Sequence, residues 1–518
     1  MSRKSESKTG WLTRCLNAIE RIGNRLPHPI TLFAVFALAI VVLSALCAAL
    51  GVSATGNLVS GGALTETTVT AVSLLTRDGL KYMFTSAVGN FTSYAPLGMV
   101  LVAMLGVGVA EQSGLIDCLL KRAVKATPAR LLTPMIVFLG ILSNIASDAG
   151  YVILIPLGAM MFHACGRHPI AGLAAAFAGV SGGFSANLLV GTLDPLLAGI
   201  TQAAVDIIDP GYRVQVMGNY IFMCASTFLI TFLGTFITER VVEPRLGRYT
   251  GTVDGEDPSL MVVSDIQKKG LRSAGIAALL FVAVMIALCV PANSFFRNEE
   301  GALLGNTPLV NSLILLIALL FFIPGAAYGL TTGKFRDDKD VAGAMSKSMA
   351  DMGSFLALAF VSAQFINYFS YTRLGTIIAL SGTAFLKSIR IGLIPLMVIF
   401  VLFSTTMNLF MGSASAKWNI LAPVFVPMFM LLGYSPELCQ LAYRVGDSCT
   451  NIITPMMTYY AVIIIFAQKY DKTAGIGTIT ATMLPYCVAF LFFWTLMLIL
   501  WLLAGLPIGI NTPLFYPA

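Results

Sequence analysis

Four ionisable residues stand inside stretches that are otherwise apolar: Asp194, Lys417, Arg444 and Asp447. A charge held away from water is costly unless it is paired, so such residues default to sites for protons, ions or charged substrates. Arg444 and Asp447 are three apart and share a helix face, where they can simply neutralise one another. Asp194 has no basic neighbour in sequence, and a carboxylate there can exchange a coupling proton; Asp148 is a second candidate. Lys417 can favour an anionic substrate or pair with a nearby carboxylate. Trp418, close to Ser415, offers a flat apolar face to an aromatic substrate, or packs the helix bundle.

Around these charges lie clusters of small polar residues. Ser143, Asn144, Ser147 and Asp148 form one; Asn408, Ser413, Ser415 and Lys417 form the other. Their hydroxyl, amide and carbonyl oxygens suit a small hard cation such as Na+, or they cap half-helices. The stretches that follow are interrupted too. Ser181, Gly182, Gly183 and Asn187 precede Gly191-Thr192-Leu193-Asp194-Pro195, and Gly446-Asp447-Ser448-Cys449-Thr450-Asn451 precedes Thr454-Pro455. Glycine admits unusual dihedrals and proline removes a donor, so both should unwind or kink. His163 and His168 read as structural.

The elements that must position these groups repeat. Asn144, Ser147, Pro156, Gly166, Pro169 and Asn187 are echoed by Asn408, Ser415, Pro423, Gly433, Pro436 and Asn451, and the Pro–Gly–Pro steps are 10 and 3 in both copies. An internal repeat with broken membrane segments is the pattern of a secondary transporter. With 57% hydrophobic and 11% charged residues in 518, the chain is a polytopic membrane protein. Its net charge of +7 comes from basic loops rather than a nucleic-acid surface. No phosphate loop or nucleophile with a base in reach is present, which disfavours an ATP-driven pump and a membrane hydrolase; a passive channel would not need duplicated broken helices. The scattered cysteines form no metal or disulfide pattern.

The expected fold is all-α. About nine transmembrane helices fall near 30–52, 96–117, 170–203, 216–238, 272–291, 308–330, 353–370, 438–468 and 482–505. Two apolar regions, about 130–165 and 391–432, are too long for one helix and are split by polar residues. They read as re-entrant helical hairpins, with two ordinary spans each as the alternative. The loop charges place the N-terminus inside and give the two repeats opposite orientation. Amphipathic pieces are expected at about 80–94 and 337–352. The corresponding divisions are a cytoplasmic segment 1–29, an N-terminal half 30–238, a cytoplasmic loop 239–271 and a C-terminal half 272–518.

Several motifs resemble those of the AbgT family, the p-aminobenzoyl-glutamate transporters, and its MtrF-type members above all. They are Arg21-Ile22-Gly23-Asn24-Arg25-Leu26-Pro27-His28-Pro29, Gly166-Arg167-His168-Pro169, Gly191-Thr192-Leu193-Asp194-Pro195, Gly412-Ser413-Ala414-Ser415-Ala416-Lys417-Trp418 and Arg444-Val445-Gly446-Asp447-Ser448. The resemblance implies a homodimer of the bacterial inner membrane with nine spans, two hairpins, and scaffold and transport parts around a cytoplasm-facing cavity. Motif by motif, it implies a transport site at Asp194, Ser415, Trp418, Pro436, Arg444 and Asp447. The other coupling candidates are Ser143, Asn144, Ser147, Asp148, Asn187, Asn408, Ser413, Lys417 and Asn451. The expected activity is proton-driven movement of p-aminobenzoyl-glutamate-like or sulfonamide-like compounds, against sodium-coupled import. No cofactor is expected beyond the coupling ion, H+ or Na+, and no partner beyond small-molecule substrate, lipid bilayer and a second subunit.

Overall fold

The computed structural model describes residues 27–60, 63–146, 150–251, 263–303 and 307–516. Among them, nine helices are long and apolar enough to cross a membrane: Pro29–Ala49, Ala95–Ser113, Tyr220–Leu246, Asp265–Cys289, Leu313–Thr332, Gly353–Tyr371, Leu393–Phe410, Ala414–Leu431 and Ile476–Leu503. The expected amphipathic segments are helices Arg77–Thr85, Ala87–Thr92 and Asp338–Asp351. Asp337 caps the last of these, accepting from the backbone N–H groups of Lys339 and Asp340.

The expected fold needs two corrections. The expected spans 170–203 and 438–468 are each broken, and the nine instead include both arms of the second split region, Leu393–Phe410 and Ala414–Leu431. The chain is also not all-α. Ser53–Ser60 and Ala63–Thr70 pair as an antiparallel β-ribbon. Thr65, Thr67, Thr68, Val69 and Thr70 are β-branched and favour strand. Thr55 and Thr68 face each other with hydroxyls 2.8 Å apart, a cross-strand pair of the kind that stabilises ribbons. Helix Leu374–Ser388 is a second element that the apolar runs did not announce.

Helix Ala95–Ser113 packs on Leu313–Thr332 and Asp338–Asp351, and Leu313–Thr332 in turn on Asp265–Cys289. The first contact is backbone on backbone: a Cβ on Gly106 would lie 1.9 Å from the Ala318 carbonyl oxygen, and one on Gly325 2.6 Å from Ala110 Cα. Small residues at such crossings are how membrane helices associate without a hydrophobic gain between them.

The other body is built from two hairpins and two broken helices. The first hairpin descends through Leu132–Ser143 and returns through Gly150–Leu154 and Ile155–Ala164. Its feet lie together, since Arg167 donates to Thr133 Oγ1 at 2.8 Å and is held by Glu243. The second runs out along Leu393–Phe410 and back along Ala414–Leu431, with Phe400 level with Phe425 and Phe429. Its foot meets the C-terminal tail, where the Tyr516 N–H donates to the Gly433 carbonyl and the Ser435 N–H to Leu514. That tail also takes a bond from Phe222 N, at the start of helix Tyr220–Leu246. Arg167 binds near the end of that same helix. The two hairpin feet therefore lie at opposite ends of the molecule, as an inverted repeat requires.

Each hairpin is followed by a broken helix. Pro169–Phe177 passes through a π-turn, Ala178–Gly182, into a stretch of turns and bends before Leu193–Val205. Pro436–Thr450 ends in a 3₁₀ turn, Asn451–Ile453, before Tyr460–Gln468. Pro455 explains the second break: it lacks an N–H and disfavours helix in the residue before it. Gly158 and Gly172 let the first hairpin close on its broken helix, because a Cβ on Gly172 would sit 2.3 Å from the Gly158 carbonyl oxygen.

Overfilling that contact should cost about 1–3 kcal/mol. Gly172→Leu is expected to melt several degrees below wild type, while Gly98→Leu, which meets nothing within 4 Å, should not. Equal melting of the two would contradict the close packing.

Candidate functional site

The second hairpin ends in a buried charge cluster. Lys417, near the start of the returning arm, places Nζ 2.6 Å from Asp447 Oδ1, and both side chains are almost fully buried. The same ammonium donates to Asn408 Oδ1. The Asn408 amide faces the other way, toward the Asp447 carbonyl at 2.6 Å, Thr450 Oγ1 at 2.9 Å and Asn451 Oδ1 at 2.8 Å. Tyr443 sets its hydroxyl 2.6 Å from the Ala414 carbonyl and 3.1 Å from Asp447 Oδ1. Asn408 and Asn451, picked out as repeat partners in sequence, thus knit the hairpin tip to the break in the following helix.

The second pair crosses between repeats. Arg444 Nη1 lies 2.7 Å from Asp194 Oδ1, and Nη2 donates to the Ser185 carbonyl at 2.9 Å. Asp194 Oδ2 accepts from the Gly191 N–H at 2.9 Å, in the first turn of its helix, where a carboxylate is favoured. Arg444 Nε is buried with no partner among the described residues. The two breaks also touch directly, through Ser185 N to Ser448 Oγ at 3.2 Å and Asn451 Nδ2 to the Ser181 carbonyl at 3.4 Å. The i,i+3 pairing of Arg444 with Asp447 therefore does not form. Each takes a partner from another segment, and Asp194, remote from any base in sequence, is paired in space.

At the first tip the described contacts are local. Ser143 Oγ bonds back to the Gly140 carbonyl at 2.7 Å. Asn144 Nδ2 reaches the Ile141 carbonyl at 3.2 Å, and Asn144 Oδ1 is buried without a described partner. Asn187 caps locally, its Oδ1 accepting from Leu188 N. Ser147 and Asp148 lie outside the described residues.

Trp418 is fully buried and stacks on Tyr443 with ring centroids 4.5 Å apart. Its indole N–H donates to Thr201 Oγ1 at 2.9 Å. From there a chain runs through Gln440, Asn219 and the Glu437 backbone carbonyl. Sequence reading missed Glu437. Its carboxylate is buried, held by Tyr212 OH at 2.9 Å and Gln215 N at 3.1 Å. A signal was available: Pro436–Thr450 carries Glu, Gln, Arg and Asp yet follows an apolar hairpin directly, and all its residues are buried. Pro436 opens this helix behind the Ser435 cap and makes no polar contact of its own. Ser413 caps the returning arm of the hairpin. Ser415, half-buried, accepts from Asn419 Nδ2 at 3.0 Å; Asn419 in turn takes the Tyr94 hydroxyl at 2.5 Å, tying the tip to the scaffold side.

His163 and His168 pack edge-on against Tyr249. His168 Nδ1 accepts from Ile170 N, and burial pushes its imidazole below the usual range, which fits a neutral cap. A cleft of about 500 Å³ is lined by Glu111, Asp117, Ser348 and Asp351 on one side and by Val152, Ile153 and Tyr459 on the other.

The sequence model of the AbgT transporter family matches residues 14–516. The p-aminobenzoyl-glutamate transport protein of Escherichia coli (strain K12) is 38% identical over 516 residues, covering 100% of this chain and 98% of that protein. The Alcanivorax borkumensis YdaH transporter superposes with a TM-score of 0.88 at 46% identity, covering 93% of this chain and 100% of the other. Neisseria gonorrhoeae MtrF, described with a class of antimetabolite efflux pumps, superposes at 0.90 with 45% identity, covering 96% and 100%. The chain belongs to the AbgT family: it is a multi-pass membrane transporter and not an enzyme.

Packing and hydrogen bonding at Trp418 can be separated. Trp418→Phe keeps the ring on Tyr443 and should cost about 1 kcal/mol. Trp418→Ala should cost about 3–5 kcal/mol. Equal losses in chemical denaturation would mean that the indole N–H, not the stacked ring, holds this helix pair.

Proposed function

We propose that this AbgT-family transporter is a proton-driven exporter of sulfonamide-like antimetabolites that also carries p-aminobenzoyl-glutamate-like compounds. It works as a homodimer in the bacterial inner membrane, N-terminus inside. The relatives support the substrate classes, one being a p-aminobenzoyl-glutamate transport protein and another belonging with antimetabolite efflux pumps. The observation that carries the reading is the Asp194–Arg444 pair, which joins the broken helices of the two repeats at 2.7 Å.

That pair offers a coupling mechanism. A sulfonamide N–H and a proton compete for the Asp194 carboxylate, so loading one releases the other, the requirement for exchange. Arg444 keeps Nε without a described protein partner, and a substrate carboxylate can take it. Trp418 is covered by Tyr443 and shapes the site from behind rather than meeting substrate face-on in this conformation. Hairpin feet at opposite ends support re-entrant hairpins and alternating access. The end that carries Arg167, Arg240 and Arg245 supports a cytoplasmic assignment by the positive-inside rule. The cleft beside the first hairpin is the entry route on this reading.

Sodium-coupled uptake is a second reading favoured by one observation: Asn144 Oδ1 is a buried acceptor at the first tip with no partner among the described residues, the type of oxygen that a hard cation takes.

Proteoliposomes with proton and sodium gradients imposed separately distinguish the two. Labelled sulfonamide should move against an inward proton gradient without sodium, and Asp194→Asn should lower that flux at least about tenfold, the loss that accompanies about 1.4 kcal/mol. Flux that follows only sodium, or that survives Asp194→Asn with its pH dependence intact, would overturn the proton reading.

A further inference from the structure

The described parts of the two tips differ at a pair of asparagines. Asn144 and Asn408 hold corresponding positions in them. Asn144 Oδ1 is buried with no described partner. Asn408 Oδ1 is filled by Lys417 Nζ, which also sits 2.6 Å from Asp447 Oδ1. Around Nζ the second tip thus gathers a carboxylate oxygen and an amide oxygen, with Tyr443 OH 3.1 Å from that same carboxylate oxygen. This is an all-oxygen shell of the type that binds a small monovalent cation, and a lysine ammonium is a compact point charge that can stand in for one.

We infer that Lys417 is a tethered cation: its ammonium occupies what would otherwise be an alkali-cation site at the second hairpin tip. The tip therefore carries its own counter-charge and needs no sodium from solution. A buried carboxylate stripped of its partner is strongly disfavoured. Removing the Lys417 side chain should accordingly leave Asp447 and Asn408 to recruit a free cation into the vacated space. Lys417 is on this view a positioning residue, which fixes Asp447 and through it the break after Thr450. The inference rests on the contacts of Lys417 alone, independent of substrate, direction or driving ion, and its test does not read transport.

The experiment is thermal unfolding of the purified full chain at fixed pH and ionic strength in choline chloride, with sodium, potassium or ammonium chloride replacing the choline stepwise. Lys417→Ala should melt several degrees below wild type in choline. It should regain most of that difference saturably with sodium or ammonium, beyond any response of wild type itself. Lys417→Ala combined with Asp447→Asn should fold and show no added cation response. A wild type stabilised as much as Lys417→Ala would overturn the inference. So would a Lys417→Ala response that survives Asp447→Asn. If Lys417→Ala cannot be recovered in any of the salts while the double variant folds, the cation site does not exist and the inference fails.

Discussion

A charge that leaves water must be neutralised where it stands, and that constraint organises this molecule. Lys417, Arg444 and Asp447 are buried and Asp194 is mostly so, where the second hairpin meets the two broken helices, and each has its counter-charge from a different segment. Buried pairs give little net stability over apolar packing, but losing one partner is expensive. They therefore act as conditions on the fold. Arg444 fits only where the first repeat presents Asp194 and the Ser185 carbonyl; Lys417 fits only where the second presents Asp447 and Asn408. The helix breaks bring those groups to one depth, and the glycine contacts let the segments approach closely enough.

The two repeats answer this constraint differently. The second tip is saturated: amide, ammonium, carboxylate and phenol each have partners. At the first tip Asn144 Oδ1 has no partner among the described residues, and Asp194, from the helix that follows the break, pairs with the other repeat. An inverted repeat would exchange roles between its halves if they were equal. Here the Asp194–Arg444 pair takes one member from each half, while the Lys417–Asp447 pair lies wholly within the second.

Much of this was legible in the sequence because it follows from local rules. Small polar residues and glycines inside apolar runs marked where the two helices break, although the second break starts at Asn451 and leaves residues 446–450 helical. Intramembrane charges marked the residues that pair in space. The amphipathic helix Asp338–Asp351 was visible for the same reason. What was hidden depends on tertiary placement. Helical spacing brings Arg444 and Asp447 to one face, yet they part because Asp194, far away in sequence, and Lys417, on the preceding hairpin, compete better, a matter no local pattern encodes. Glu437 is hidden because its burial depends on Tyr212 and Gln215, more than 200 positions away, which hold its carboxylate. The β-ribbon was overlooked because a threonine-rich stretch between helices reads equally as a polar loop.

The central claim, that Asp194 and Arg444 pair across the repeats, is tested most directly by a double-mutant cycle in equilibrium unfolding with Asp194→Asn and Arg444→Gln. If the pair forms, each single change costs about 3–5 kcal/mol and the double variant costs less than their sum by about 2–3 kcal/mol. A parallel cycle between Arg444 and Asp447 should show clearly weaker coupling. Additive losses in the first cycle, or stronger coupling in the second, would contradict the account.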